Sequence, residues 1–179
     1  MKKFVLIGGE CTGKSTLAAA IGKSYKIEVW DEFAAQYAKD INDKEIRYSD
    51  VATIVAGQLD GQERKISAAQ LKGDAFVLGD TDLISSYTYS KVLYHRVPEQ
   101  LGATIKATRA DAYFLLSPQH VPFRPAPERR QAINRSHIFD CFSANLNFFE
   151  CKYEVIEHKS WNERFAAISD RIQVFLEGV

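Results

Sequence analysis

The apolar run Phe4-Val5-Leu6-Ile7 is followed at once by G-G-E-C-T-G-K-S-T, residues 8–16. Gly8, Gly13, Lys14 and Ser15 fit the spacing G-x-x-x-x-G-K-[ST], with a strand pattern before and a helix pattern after. The residue types follow from the chemistry of a polyphosphate. Backbone N–H groups must turn inward around it, and glycine allows both the unusual dihedrals and the close approach. The helix that follows adds its unpaired N–H groups and the positive end of its dipole. Lys14 is placed to reach the β- and γ-phosphates, and the Ser15 hydroxyl to ligate Mg²⁺. The loop residues Gly9, Glu10, Cys11 and Thr12 supply backbone donors, and Thr16 is a further donor. A glycine-rich turn that merely leads into a helix is the competing reading, and both flanks argue against it. Cys11 fills a variable position. It is read as a tolerated residue, with a thiol activated by the helix N-terminus as the alternative.

The rest of the chain alternates in the manner of a parallel sheet covered by helices. Strand patterns recur at 26–30, 74–80, 111–117 and 152–158, after the first at 2–7, and helix patterns separate them. The expected fold is therefore α/β, a P-loop nucleotide-binding domain with a five-stranded parallel sheet and helices on both faces, occupying residues 1–179 as a single domain. A helix is expected from Lys14 to Ser24. Ile138, Phe142, Leu146 and Phe149 share one helical face, as do Trp161, Phe165, Ile168, Ile172 and Phe175, and both faces are read as core.

Composition bounds the partners. The 23 basic and 23 acidic side chains balance, and no long basic run occurs, so neither nucleic acid nor a membrane surface is an expected partner. No apolar stretch is long enough to span a bilayer. Three scattered cysteines without metal-ligand spacing point to a reduced, cytoplasmic protein. The oligomeric state is left open.

In open parallel sheets ligands gather at the carboxyl ends of the strands, and acidic residues stand there. Asp80 ends the apolar run F-V-L-G-D and is the expected metal residue together with Ser15. Asp82 returns to the same side if Thr81 forms an extended turn, where it would hold substrate hydroxyls or the metal. Asp31 and Glu32 follow the second strand. Glu32 is placed to orient an acceptor hydroxyl and take its proton, although acids there also suit the start of a helix. Four of the five prolines fall in residues 117–134, an irregular surface loop or lid over about 118–135. Arg124, Arg129, Arg130 and Arg135 cluster in and after it. Arg129 is expected to stabilise charge on the transferring phosphoryl group, and Arg124 and Arg130 to contact the nucleotide.

These residues resemble a known family. G-G-E-C-T-G-K-S-T-L, V-W-D-E-F-A-A-Q-Y, Y-S-D followed by Gln58, D-T-D-L-I-S-S-Y-T-Y-S-K-V-L-Y, V-P-F-R-P-A-P-E-R-R and the closing segment 153–172 are similar to the nicotinamide ribonucleoside kinase domain of bifunctional bacterial NAD-biosynthesis regulators, and to the AAA-type ATPase/kinase proteins grouped with it. The resemblance covers nearly the whole chain. It implies a P-loop kinase that moves the γ-phosphoryl of ATP, with Mg²⁺, to a ribosyl hydroxyl of a small nucleoside or nucleotide. It also implies that residues 158–161, including Trp161, lie by the adenine. Two departures concern the acceptor side. The family pattern E-[YF]-x-R-E-[YF] here has Ala35 and Gln36 in place of arginine and glutamate. Pro122, Phe123 and Arg129 match the pattern P-W-x-D-D-G-x-R, but Pro125, Ala126 and Pro127 stand for its two acids and glycine. Two alternatives therefore stand beside a nicotinamide riboside kinase: an ATP-binding switch with no metabolite acceptor, and a deoxynucleoside or nucleotide kinase.

Overall fold

A computed structural model describes residues 1–42, 45–122 and 134–178. The elements run β1 (Lys2–Ile7), α1 (Lys14–Tyr25), β2 (Val29–Trp30), α2 (Phe33–Asp40), a 3₁₀ turn at Tyr48–Asp50, α3 (Val51–Lys72), β3 (Phe76–Asp80), α4 (Leu83–Tyr94), α5 (Leu101–Thr108), β4 (Ala112–Leu116), α6 (Arg135–Phe148), β5 (Tyr153–Ile156) and α7 (Trp161–Glu177). The strands form one parallel sheet in the order β2-β3-β1-β4-β5, with Leu6 beside Asp80 and Ile7 beside Leu115. β1 is central, with β3 on one side and β4 on the other. The carboxyl end of β1 is thus the crevice where such sheets take their ligands.

The near-continuous apolar strands are explained by burial on both sides. Phe4 and Leu6 of β1, with Phe114 and Leu116 of β4, pack under α1 and α7 against Leu17, Ile21, Ile168 and Ile172. Val5 and Ile7, with Tyr113 and Leu115, face the other layer, where Ile84, Leu101, Ile138, Phe142 and Leu146 close the core. Each strand is read by both layers, so its alternation separates two cores instead of core from solvent.

Several expectations change. The second strand is only Val29–Trp30, because Lys26 takes a left-handed conformation (φ 54°) that ends α1 and uses up the residues before it. The α6 face is core as expected, with Ile138, Phe142, Leu146 and Phe149 all buried. On α7, Ile168 and Ile172 are buried and Phe165 and Phe175 pack against them, but Trp161 is 43% exposed. Trp161 opens the helix beyond the end of β5, and its ring stacks on Phe165 with centroids 5.4 Å apart. Most of the expected lid, with Arg124, Arg129 and Arg130, lies outside the described residues.

Candidate active site

The β1–α1 loop has the backbone that its glycines foretell. Gly8 sits at φ 145°, and a Cβ there would stand 2.8 Å from the Leu116 carbonyl oxygen. Only glycine lets β4 pass this close. Gly13 caps α1 in the left-handed region (φ 89°, ψ 13°) and offers no side chain to cap the helix terminus. A Cβ on Gly13 would meet nothing within 4 Å, so among the described residues there is open space beside the start of α1. That is the arrangement an anion needs. Inside the loop, Thr12 Oγ1 and Lys14 Nζ each donate to the Gly9 carbonyl at 2.9 Å. Ser15 and Thr16 follow on the exposed first turn of α1.

Asp80, at the end of β3, is 5% exposed and lines one crevice with Ser15. Burial pushes its carboxyl above the ordinary carboxylate value. Ser15 and Lys14 oppose that shift, and the charge of Asp31 adds to it. Asp80 Oδ1 is buried with no hydrogen-bond partner. A buried carboxylate oxygen without a partner, beside a serine hydroxyl and a helix terminus, fits a divalent cation. Among the described residues no three His, Cys, Asp or Glu side chains converge as a metal cage. Ser15, Asp80 and Asp31 line one crevice of about 320 Å³, with Glu28 and Lys65 at its far side. Lys65 and Lys72 pair with Glu28, whose carboxylate they hold down at about 2.

Asp82 does not join Asp80. Thr81 is left-handed (φ 69°) and not extended, so the alternation breaks and the two carboxylates part. Asp82 caps α4, accepting from the Ile84 N–H at 2.9 Å, and its other oxygen accepts from the Tyr113 hydroxyl at 2.7 Å. It is buried against the core below α4, with its carboxyl raised by that burial to about 6. The place beside the metal residue that an extended turn would give it is therefore not the place it holds.

Glu32 stands at the N-cap position of α2 without capping it through its side chain, so it begins a helix and follows β2 as expected. Gln58, on α3 and 3% exposed, secures this turn. Its Oε1 accepts from the Phe33 N–H at 2.9 Å, and its Nε2 donates to the Asp31 carbonyl at 3.3 Å. Sequence reasoning noted Gln58 but gave it no role. A lone glutamine within a helix carries no signal of the turn it meets. Ala35 is exposed on α2, and Gln36 donates to Asp40. Arg135 turns to backbone, donating to the Val121 carbonyl at 2.8 Å and the Cys11 carbonyl at 3.2 Å. Arg164 was missed altogether. It is 2% exposed and donates to the Thr12 carbonyl of the loop. Among the described residues Cys11, Cys141 and Cys151 form no disulfide. No described helix is long and apolar enough to cross a membrane.

A family model for an AAA domain matches residues 3–164. The chain belongs to this AAA domain family. No protein of curated function matches it by sequence. Among solved structures, this AAA domain superposes on the NadR protein in complex with NR with a TM-score of 0.81 at 23% identity, over 99% of this chain and 51% of that one. It therefore spans about half the length of the NadR chain. Deoxyadenosine kinase from M. mycoides with bound dATP gives a TM-score of 0.64 at 16% identity, covering 97% of this chain and 100% of that one. Thymidylate kinase from Ehrlichia chaffeensis gives 0.68 at 13% identity, over 96% and 98%. The fold of this AAA domain is that of P-loop nucleoside and nucleotide kinases.

Proposed function

We propose that this chain is an ATP-dependent kinase that transfers the γ-phosphoryl group to a nucleoside-type hydroxyl, nicotinamide riboside being the first acceptor to test. The observation that carries the reading is the Ser15–Asp80 pair. A buried carboxylate oxygen lacks a partner at the mouth of a phosphate loop, and Asp31 opens the same crevice toward an acceptor. Ser15 and Asp80 would hold Mg²⁺, which would supply positive charge to offset that of the phosphates. The N–H groups of the loop and of the first turn of α1 bind the phosphate oxygens. Lys14 leaves the Gly9 carbonyl to pair with the transferring group, and Arg129 adds charge stabilisation. Glu32, at the start of α2, orients the acceptor hydroxyl and accepts its proton, with Asp31 alongside. Trp161, 43% exposed on the first turn of α7, would lie against the adenine.

A deoxynucleoside or nucleotide kinase is the second reading. What supports it is the shared fold: deoxyadenosine kinase and thymidylate kinase superpose on this chain with TM-scores of 0.64 and 0.68. One experiment separates the two. ATP·Mg²⁺ turnover is followed with nicotinamide riboside and with a panel of nucleosides, deoxynucleosides and nucleoside monophosphates, and the product is identified by mass. Hydrolysis that no acceptor accelerates would overturn both readings and leave an ATP-binding switch.

A further inference from the structure

Two arginines from the second half of the chain grip the phosphate loop from behind. Arg164 Nε donates to the His158 carbonyl at 2.7 Å and Nη2 to the Gln119 carbonyl at 2.8 Å. Its Nη1 donates to the Ser117 carbonyl at 3.1 Å and to the Thr12 carbonyl at 3.4 Å. Every one of these acceptors is main chain; among the described residues no carboxylate pairs with it. Arg135 adds its bonds to Val121 and Cys11.

The placement runs against what each helix would choose. Arg135 is the first residue of α6 and Arg164 lies in the first turn of α7, where the helix dipole disfavours a cation. Burial and the nearby charge of Arg135 also lower the Arg164 pKa, a sign that the charged form is held at some cost. What the two side chains gain in common is the phosphate loop, and consecutive carbonyls of it. In a trans peptide the C=O of one residue and the N–H of the next point in opposite directions. Fixing the Cys11 carbonyl outward therefore turns the Thr12 N–H inward, and fixing the Thr12 carbonyl does the same for the Gly13 N–H. Cys11 (φ 55°) opens these peptides in the left-handed region, sparsely populated for a residue other than glycine, which persists only where neighbours over-determine it.

We propose that Arg164 and Arg135 are positioning residues for phosphate binding, which aim the Gly13 and Thr12 N–H groups at the bound phosphates without touching them. The inference rests on the nucleotide-binding reading of the loop. Calorimetric titration of the intact protein with ATP·Mg²⁺, inorganic tripolyphosphate and adenosine tests it, on wild type, Arg164→Lys and Arg135→Lys. All titrations are run well below each variant's unfolding temperature. Lysine keeps the charge but not the fork that reaches several carbonyls. Affinity for ATP·Mg²⁺ and tripolyphosphate should fall about tenfold or more in Arg164→Lys, and less in Arg135→Lys, with adenosine unaffected. A purely structural role would lower the unfolding temperature and leave tripolyphosphate affinity unchanged, which would overturn the proposal. If Arg164→Lys does not fold, the half-buried Arg135 decides the matter alone by the same criterion. Wild-type protein that binds neither ATP·Mg²⁺ nor tripolyphosphate would overturn the nucleotide reading itself, and this proposal with it.

Discussion

Ser15, at the amino end of α1, and Asp80, at the carboxyl end of β3, line one crevice, and the Oδ1 atom of the Asp80 carboxylate is buried without a partner. A protein selected only for stability would not leave such an oxygen there. Replacing Asp80 by asparagine should therefore separate function from stability. Burial disfavours the charged carboxylate, so Asp80→Asn should hold or raise stability at pH 7, by up to about 1 kcal/mol. The same change should abolish the Mg²⁺-dependent part of ATP affinity. Denaturant unfolding and ATP titration with and without Mg²⁺ read the two effects; a loss of stability with Mg²⁺ dependence intact would contradict this assignment.

Lys14 makes its hydrogen bond to Gly9, at 2.9 Å, from a half-buried position. Little stability hangs on one such bond, about 1 kcal/mol or less. Lys14→Ala should thus melt near the wild-type temperature while phosphoryl transfer falls about 10²–10³-fold or more. Turnover close to wild type would remove Lys14 from the mechanism.

The two glycines of the loop should fail in different ways when given a Cβ. At Gly8 the new atom meets the Leu116 carbonyl oxygen at 2.8 Å, so Gly8→Ala should destabilise the fold by about 2 kcal/mol or more, measured by urea unfolding. At Gly13 there is room, and only the left-handed backbone objects, at about 1 kcal/mol. Its methyl group would instead stand in the space the phosphates need. Gly13→Ala should lose far more nucleotide affinity than stability, and equal losses at both positions would refute the distinction.

The buried Asp82–Tyr113 pair sets a pH dependence. Burial raises Asp82 from 3.8 to about 6. Between these values the folded protein keeps a proton that the unfolded chain has released, so stability falls as pH rises through this interval. The full change is on the order of 3 kcal/mol, and the curve flattens above about pH 6. Asp82→Asn keeps an acceptor for the Tyr113 hydroxyl and should remove this slope. Urea unfolding at several pH values between 4 and 7 decides it, and parallel curves for the two proteins would show that Asp82 does not titrate as described.

The sequence by itself determined the sheet, its parallel sense and the phosphate loop. Each depends on local chemistry: apolar runs at strand spacing, and glycines where the backbone must turn left or pass close to a neighbour. It also placed Asp80, since an apolar strand that ends in aspartate brings that carboxylate to the carboxyl edge beside β1. Only the tertiary structure decided what Asp82, Gln58, Arg135 and Arg164 do. The fate of Asp82 turned on one dihedral at Thr81, which no pattern of residue types encodes. Trp161 kept helical spacing with Ile168 and Ile172 yet stayed exposed, because periodicity marks a face but not where the sheet beneath it ends. Arg164 lies 152 residues from Thr12 along the chain, and its partners are carbonyl oxygens. Backbone acceptors are the same at every residue, so a guanidinium that recognises them leaves no trace in the sequence until the fold brings them together.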